Sequence, residues 1–155
     1  MIKEFENLRQ EEVEILLRAP VLVSILIAGA DGNIDKAETK EAIAIARGRQ
    51  SRAREQLVDY YKLIGDNFET QFNELVAKYP MKPEERNPMI IAELKRLNRI
   101  LPKMDKNWAV KLYHSLKDLA KKIAEASGGV LGYLSVSYEE AKLMELNMIN
   151  DPSKF

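Results

Sequence analysis

The apolar run from Pro20 to Ala30, PVLVSILIAGA, constrains the fold of this chain more than any other segment. A helix that crosses a bilayer needs about 20 apolar residues, so this run is too short to span a membrane. It is apolar on every side of a helix, which predicts that it lies buried at the centre of a helical bundle. Pro20 is predicted to be the first helical residue, because at that position the missing N–H of a proline removes no hydrogen bond.

The same run has a second interpretation, as the hydrophobic part of a signal peptide, because it ends in the small residues Ala28-Gly29-Ala30. A signal peptide, however, begins with a short basic segment. The residues before Pro20 mix both charges instead, with three basic residues against Glu4, Glu6, Glu11, Glu12 and Glu14. A buried helix is therefore the preferred interpretation, and no direct membrane insertion is expected.

The composition is typical of one ordinary globular domain over residues 1–155. Hydrophobic residues make up 46% of the chain and charged residues 31%, which separates it from disordered sequences. Lysine plus arginine equals aspartate plus glutamate, at 24 each, so the sequence lacks the general basic field of a nucleic-acid-binding protein. It has no cysteine, which excludes disulfides, thiolate metal sites and cysteine nucleophiles and is consistent with a cytoplasmic location.

Apolar residues at helical spacing recur along the chain, and no segment alternates convincingly with a period of two. Pro80 and Pro83 mark a break between two of these stripes, and Pro102 closes a third. The stripes are Leu57-Tyr60-Tyr61-Ile64, Phe68-Phe72-Leu75-Tyr79, Ile90-Leu94-Leu97-Leu101 and Trp108-Leu112-Leu116-Leu119-Ile123. The predicted fold class is all-α, a compact single-domain bundle of about six to eight helices.

Two helix junctions in the sequence resemble each other. In the first, AGADGNIDKAE (Ala28–Glu38), Asp35 is predicted to cap a helix, and Glu38 stands in the capping-box position three residues later. In the second, SGGVLGYLSVSYEE (Ser127–Glu140), glycines end one helix and a second capping box ends at Glu140. The similarity is a weak internal repeat, and it predicts two related helix pairs about a pseudo-twofold axis.

The first junction also matches half of a calcium-binding EF-hand loop. With Gly32 at loop position 6, Asp31, Asp35 and Glu38 fall at positions 5, 9 and 12. Positions 1 and 3 have no side-chain oxygen, so a full EF-hand is excluded. The three carboxylates, with a backbone carbonyl and water, form a half-site that would hold magnesium or calcium weakly. The same oxygens serve as helix caps in the competing interpretation, so the residues leave cap and cation open.

The two junctions together resemble the motifs of the tellurite-resistance TerB family and its TerB-like relatives. That family carries ADG-x-(I/V)-x-x-x-E after its first apolar helix, as in Ala30–Glu38, and a second glycine-containing motif with a glutamate late in the chain, as in Ala126–Gly129 and Ser137–Glu140. The resemblance covers most of the length. Ser127 departs from it, because TerB itself commonly has an aspartate at that place, so the second motif lacks one carboxylate.

The resemblance implies an intracellular, all-α protein of pseudo-symmetric helix pairs, from a family whose members are not known as enzymes. Asp31, Asp35 and Glu38 would form a first divalent-cation cluster, with Glu139 or Glu140 as the second contribution. The family is associated with resistance to tellurite and other chemical stress, alongside membrane-bound partners. The expected function is therefore that of a non-enzymatic stress-response protein that acts through a protein partner and not through nucleic acid. The alternative is a metal-free helical interaction module whose acidic motifs only cap helices.

Other conspicuous residues are expected to be structural. His114 is the only histidine, and without a second histidine or a cysteine it is expected to lie on the surface or to pack between helices. Trp108 and Tyr113 are expected to fill the core. The cluster Arg47–Arg54 does not form one stripe on a helix and is expected to be a solvated junction. The loop Gly128–Gly132 is expected to end a helix, and its apolar neighbours would be a partner surface if they are exposed.

Overall fold

A computed structural model describes residues 3–29, 44, 57–65, 67–127, 143 and 145–154 of the chain. Within these residues the secondary structure consists of helices and turns without a β-strand, which confirms the all-α fold class for this part of the chain. The helices of eight or more residues in the described part are α1 (Gln10–Ala28), α2 (Val58–Gly65), α3 (Phe68–Lys78), α4 (Pro83–Lys95) and α5 (Lys106–Ser127). Shorter helical turns occupy Lys3–Phe5, Leu97–Ile100, Leu101–Lys103 and Pro152–Lys154.

Helix α1 is the central element of the described part. Every residue from Ala19 to Ala28 is buried, and α1 packs against each of the other four helices. The prediction that the apolar run forms a central, buried helix is thus confirmed. A segment that is apolar on all sides leaves water only when neighbours cover it on all sides, so the other helices are arranged around this one.

The prediction that Pro20 begins the helix is wrong, because α1 begins at Gln10 and Pro20 lies near its middle. The start of the helix is stabilised by Glu12, whose carboxylate accepts a hydrogen bond from the backbone N–H of Arg9 at 2.9 Å. Glu11 and Glu12 also place negative charge in the first turn, which the dipole of a helix N-terminus favours. An interior proline normally leaves one helical carbonyl without its donor, and here a side chain of α2 supplies that donor.

The apolar stripes predicted from the sequence are largely buried. The longest, on α5, is buried at all of its positions, with exposures of 2% or less. Pro80 and Pro83 bracket the break between α3 and α4 as predicted, and Pro83 is the first residue of α4. The stripe that begins at Ile90 differs in detail: α4 ends at Lys95, and the chain continues through two short turns that include Pro102 while its apolar residues stay buried.

An aromatic group joins the N-terminal turn to α2 and α5. The ring of Trp108 meets the rings of Phe5 and Tyr60 edge-on, with centroids 6.3 and 5.5 Å apart. Edge-to-face contacts of this kind add to the free energy gained from burying the rings, because a positive ring edge faces a negative ring face. The group therefore fixes where the start of the chain lies against the bundle.

Two finer predictions about the fold remain predictions. The number of six to eight helices and the pseudo-twofold pairing both depend on the junctions, most of whose residues lie outside the described part. Among the helices described, none is both long enough and apolar enough to cross a membrane.

Candidate functional site

The acidic residues predicted to hold a cation lie outside the part of the chain that the structure describes. They are Asp31, Asp35, Glu38 and Glu140. The arginine cluster at 47–54 and the apolar loop at 128–134 also lie outside it. The structure does describe how the chain enters the first motif, through the end of α1 and Gly29.

The end of α1 is held at Gly29, which is buried. The backbone N–H of Gly29 donates to the carbonyl of Ile25 at 2.9 Å and closes the last turn of the helix. The carbonyl of Gly29 accepts a hydrogen bond from Nη2 of Arg86 at 2.5 Å. Carbonyls at a helix C-terminus have no partner inside the helix, so this contact satisfies a group that burial would otherwise penalise. A side chain of α4 therefore fixes the point at which the chain leaves α1 for the acidic motif.

Arg86 itself is buried, with 3% of its surface exposed, in the first half of α4. Besides its contact with Gly29, it donates from Nη1 to the carbonyl of Met81 at 3.2 Å, in the loop before α4. A guanidinium loses favourable hydration on burial, so arginine is buried mainly where hydrogen bonds and opposite charge compensate it. The dipole at the C-terminus of α1 gives part of that compensation, because it favours a positive charge.

Sequence reasoning did not single out Arg86, although a signal for it was present. Arg86 precedes Ile90 and Leu94 by one and two helical repeats of four residues, so all three lie along one face of α4. Ile90 and Leu94 are buried in the core. A charged residue on the same helical face as a buried apolar stripe is expected to be buried and to need polar partners there. This pattern would have identified Arg86.

Three other residues can be compared directly with their predictions. His114 is exposed on α5, which confirms the expectation of a surface or packing residue. Trp108 and Tyr113 are 2% and 8% exposed, which confirms them as core residues. Among the described residues there is no group of three or more histidine, aspartate or glutamate side chains that could hold a metal ion.

A buried carboxylate lies at the opposite end of α1. The side chain of Glu12 is 6% exposed, its Oε1 accepts from the backbone N–H of Arg9 at 2.9 Å, and its Oε2 accepts from Nζ of Lys103 at 2.7 Å. The hydrogen bond from the Arg9 backbone, and then the one from Lys103, lower the pKa of Glu12 to about 2. The carboxylate is charged at neutral pH and joins the start of α1 to the short turn after α4.

The described fold defines the class of the molecule as an all-α protein assembled around one buried helix. No protein-family model matches the chain, and no curated protein and no solved structure is significantly similar to it. The resemblance to the TerB family rests on the two sequence motifs and stays a prediction.

Proposed function

We propose that this chain is a non-enzymatic, TerB-like helical protein of the cytoplasm. It would act through a protein partner, in a membrane-associated assembly, during a stress response of the tellurite-resistance kind. Its first acidic motif, Asp31, Asp35 and Glu38, would bind magnesium or calcium weakly, with Glu140 contributing from the second motif. The observation that carries the proposal is the anchoring of the chain immediately before the first motif.

That anchoring concerns Gly29, which is bonded at both its backbone N–H and its carbonyl. Asp31 follows two residues later in the sequence, so the motif starts from a point that buried groups fix. A weak oxygen site gains affinity when part of its backbone is fixed beforehand, because less conformational entropy is lost on binding. Anchoring at Gly29 thus supports a binding role for the motif.

Magnesium and calcium titrations followed through the backbone amide signals test the cation. We expect saturable shifts centred on residues 28–41 that disappear in Asp31→Ala, which removes the side-chain oxygens that would bind the cation. Glu74→Ala is the matched control, because it removes an exposed carboxylate of α3 far along the chain from the motif. Flat titrations of the wild type up to about 10 mM metal, beyond the range of weak calcium modules, would refute cation binding.

The second candidate function is a metal-free interaction module in which the acidic motifs only cap helices. The charge of Arg86 favours this candidate. Its buried guanidinium brings a positive charge to Gly29, at the entry of the motif. A positive charge repels a divalent cation at short range and pairs with carboxylates in its place.

The thermal unfolding midpoint separates the two candidates. A cation that binds only the folded state stabilises it in proportion to the logarithm of its concentration. The cation proposal expects the midpoint of the wild type and of Glu74→Ala to rise with magnesium or calcium, and that of Asp31→Ala to stay level. The metal-free module expects equal midpoints in metal and in chelator for all three proteins.

A further inference from the structure

A groove of about 400 Å³ lies between the start of α1 and the chain that ends α4 and follows it. Four basic residues line it, Arg9, Lys95, Arg96 and Arg99, together with the carboxylates of Glu11 and Glu12. Arg9 is far from the other three in sequence, so the fold, and not a local cluster of charge, brings these groups to one place. Which of these charges are already paired decides what the groove can bind.

Both carboxylates in the groove already have partners. Oε2 of Glu12 accepts a hydrogen bond from Nζ of Lys103 at 2.7 Å, and Oε1 of Glu12 lies 3.6 Å from Nε of Arg9. Glu11 pairs with Arg9 at 3.1 Å, and both side chains are more than half exposed. The negative charge in the groove is therefore compensated before any ligand arrives.

The basic side chains are compensated less fully. Arg96 lies 3.5 Å from Glu93, but Arg18 also pairs with that carboxylate, at 3.1 Å. Lys95 and Arg99 form no ion pair with any carboxylate of the described residues. The charged side chains that line the groove and their direct ion-pair partners comprise five basic groups and three acidic ones, Arg9, Lys95, Arg96, Arg99 and Lys103 against Glu11, Glu12 and Glu93. An excess of positive charge is thus concentrated here in a chain whose total charge is zero.

A purely structural account explains only part of this arrangement. Basic residues near the C-terminus of a helix offset its dipole, which accounts for Lys95 and Arg96 at the end of α4. The same effect extends to Arg99 in the last turn of the short helix that follows, although a helix of four residues has only a small dipole. It does not account for Arg9, which precedes α1 at the end where the dipole disfavours a positive charge. Convergence of these groups on one concave surface is the feature that indicates a ligand.

We propose that this groove binds the phosphate group of a small anionic ligand through Lys95, Arg96 and Arg99. A guanidinium offers a planar fork of donors that matches phosphate oxygens, and an ammonium adds a compact positive charge. Arg9 closes the opposite wall of the groove. None of the residues that line the groove belongs to the acidic motif in the sequence, so this proposal and the cation proposal are tested by different variants and stand or fall independently.

Inorganic pyrophosphate is the first probe, titrated at constant ionic strength against the wild type, the double variant K95Q/R99Q and the control K62Q/K78Q. The control removes two exposed positive charges from α2 and α3, and so changes the total charge equally. Binding is followed through amide and arginine side-chain signals. Loss of two charge-assisted hydrogen bonds predicts affinity about tenfold weaker or more in K95Q/R99Q, and affinity within about twofold of the wild type in the control.

A phosphate group reaches a protein on a soluble molecule or on a lipid headgroup, and a second arm distinguishes these sources. Vesicles of phosphatidylcholine, with and without phosphatidic acid, are sedimented with the same three proteins. Binding to pyrophosphate without binding to the acidic vesicles identifies a soluble ligand, whereas vesicle binding that K95Q/R99Q loses and K62Q/K78Q keeps identifies a headgroup. Equal weakening in both variants, or no saturable binding to either probe, overturns the proposal.

Discussion

The hydroxyl of Tyr60 donates a hydrogen bond to the main-chain carbonyl of Leu16 at 2.5 Å, and both residues are buried. In an uninterrupted helix the Leu16 carbonyl would accept from the N–H four residues later, but that residue is Pro20, which has none. Tyr60 therefore supplies from α2 the donor that the proline withholds within α1. Burial raises the pKa of Tyr60 well above its usual value, so the hydroxyl keeps the proton that it donates.

Tyr60→Phe tests this contact directly. The ring and its aromatic neighbours remain, but the Leu16 carbonyl loses its donor inside the core, so we expect the free energy of unfolding to fall by about 1–3 kcal/mol. Tyr113→Phe is the control. Tyr113 is also buried, but its hydroxyl forms no hydrogen bond with any described residue, so the substitution removes a hydroxyl without removing a hydrogen bond. Equal losses in both variants, measured by urea denaturation, would show that the Leu16 contact has no special weight.

The role of Pro20 in this arrangement is tested by a double-mutant cycle. Pro20→Ala restores a backbone N–H to α1, so the Leu16 carbonyl regains a donor within the helix. We expect Tyr60→Phe to destabilise the Pro20→Ala background by about 1 kcal/mol less than it destabilises the wild type. Additive effects in the cycle would mean that Tyr60 and Pro20 are not coupled, whatever the sign of the Pro20→Ala change alone.

Arg86 should be important for stability because its guanidinium bonds two backbone carbonyls inside the protein. Arg86→Met keeps much of the side-chain volume but leaves those carbonyls without this donor, and we expect a loss of about 2–4 kcal/mol. Arg86→Lys should be intermediate, since it keeps the charge and loses the planar fork. Arg99→Met, at an exposed arginine, is the control and should change stability by less than about 0.5 kcal/mol. Chemical denaturation gives all three values.

Glu12 should make stability depend on pH in the acid range. Its folded pKa, about 2, lies below the ordinary value of 4.5, so the folded state binds its proton less readily than the unfolded state. Its contribution is therefore complete above about pH 5 and is lost as the pH falls toward 2. The difference in unfolding free energy between wild type and Glu12→Gln should be constant from pH 7 to 5 and narrow below that. A difference that is the same at pH 3 and pH 7 would contradict the prediction.

Because α1 lies at the centre of the core, truncating a buried leucine of α1 should lower the free energy of unfolding far more than truncating an exposed leucine elsewhere. Leu22 is fully buried in α1, and Leu22→Ala should reduce the free energy of unfolding by about 2–5 kcal/mol because it leaves a cavity. Leu63 on α2 is 50% exposed, and Leu63→Ala should have an effect below about 1 kcal/mol. Similar losses for the two variants would indicate that α1 is not the centre of the core.

The helices were predictable from the sequence where apolar residues keep helical spacing over several turns. The stripe on α5 and the break between Pro80 and Pro83 were predictable, because helical spacing and missing backbone donors act locally. The start of α1 was not. Glu12 accepts a hydrogen bond from the backbone N–H of Arg9 at the helix start, but no conspicuous capping motif precedes it in the sequence. Pro20 is a residue typical of a helix start, yet it lies inside α1 because Tyr60 donates to the Leu16 carbonyl that the proline leaves without a donor.

The candidate site divides in the same way. The acidic motif and its spacing were available from the sequence, and its occupancy by a cation stays a prediction. Arg86 and the basic groove were missed, since each depends on groups far apart in the chain: Arg86 with Gly29, and Arg9 with Arg99. A pattern along α4 indicated that Arg86 was buried, but no pattern indicated what it would contact.

The sequence by itself determined that this protein is helical and that the run after Pro20 is surrounded by other helices, because apolar side chains on every face must leave water. Only the tertiary structure decided how the polar groups inside are satisfied. The relative placement of the helices decides that Tyr60 donates to the carbonyl of Leu16 and that Arg86 donates to the carbonyl of Gly29. Burial is a property of each residue's own chemistry, whereas a hydrogen bond requires two particular atoms to meet within about 3 Å.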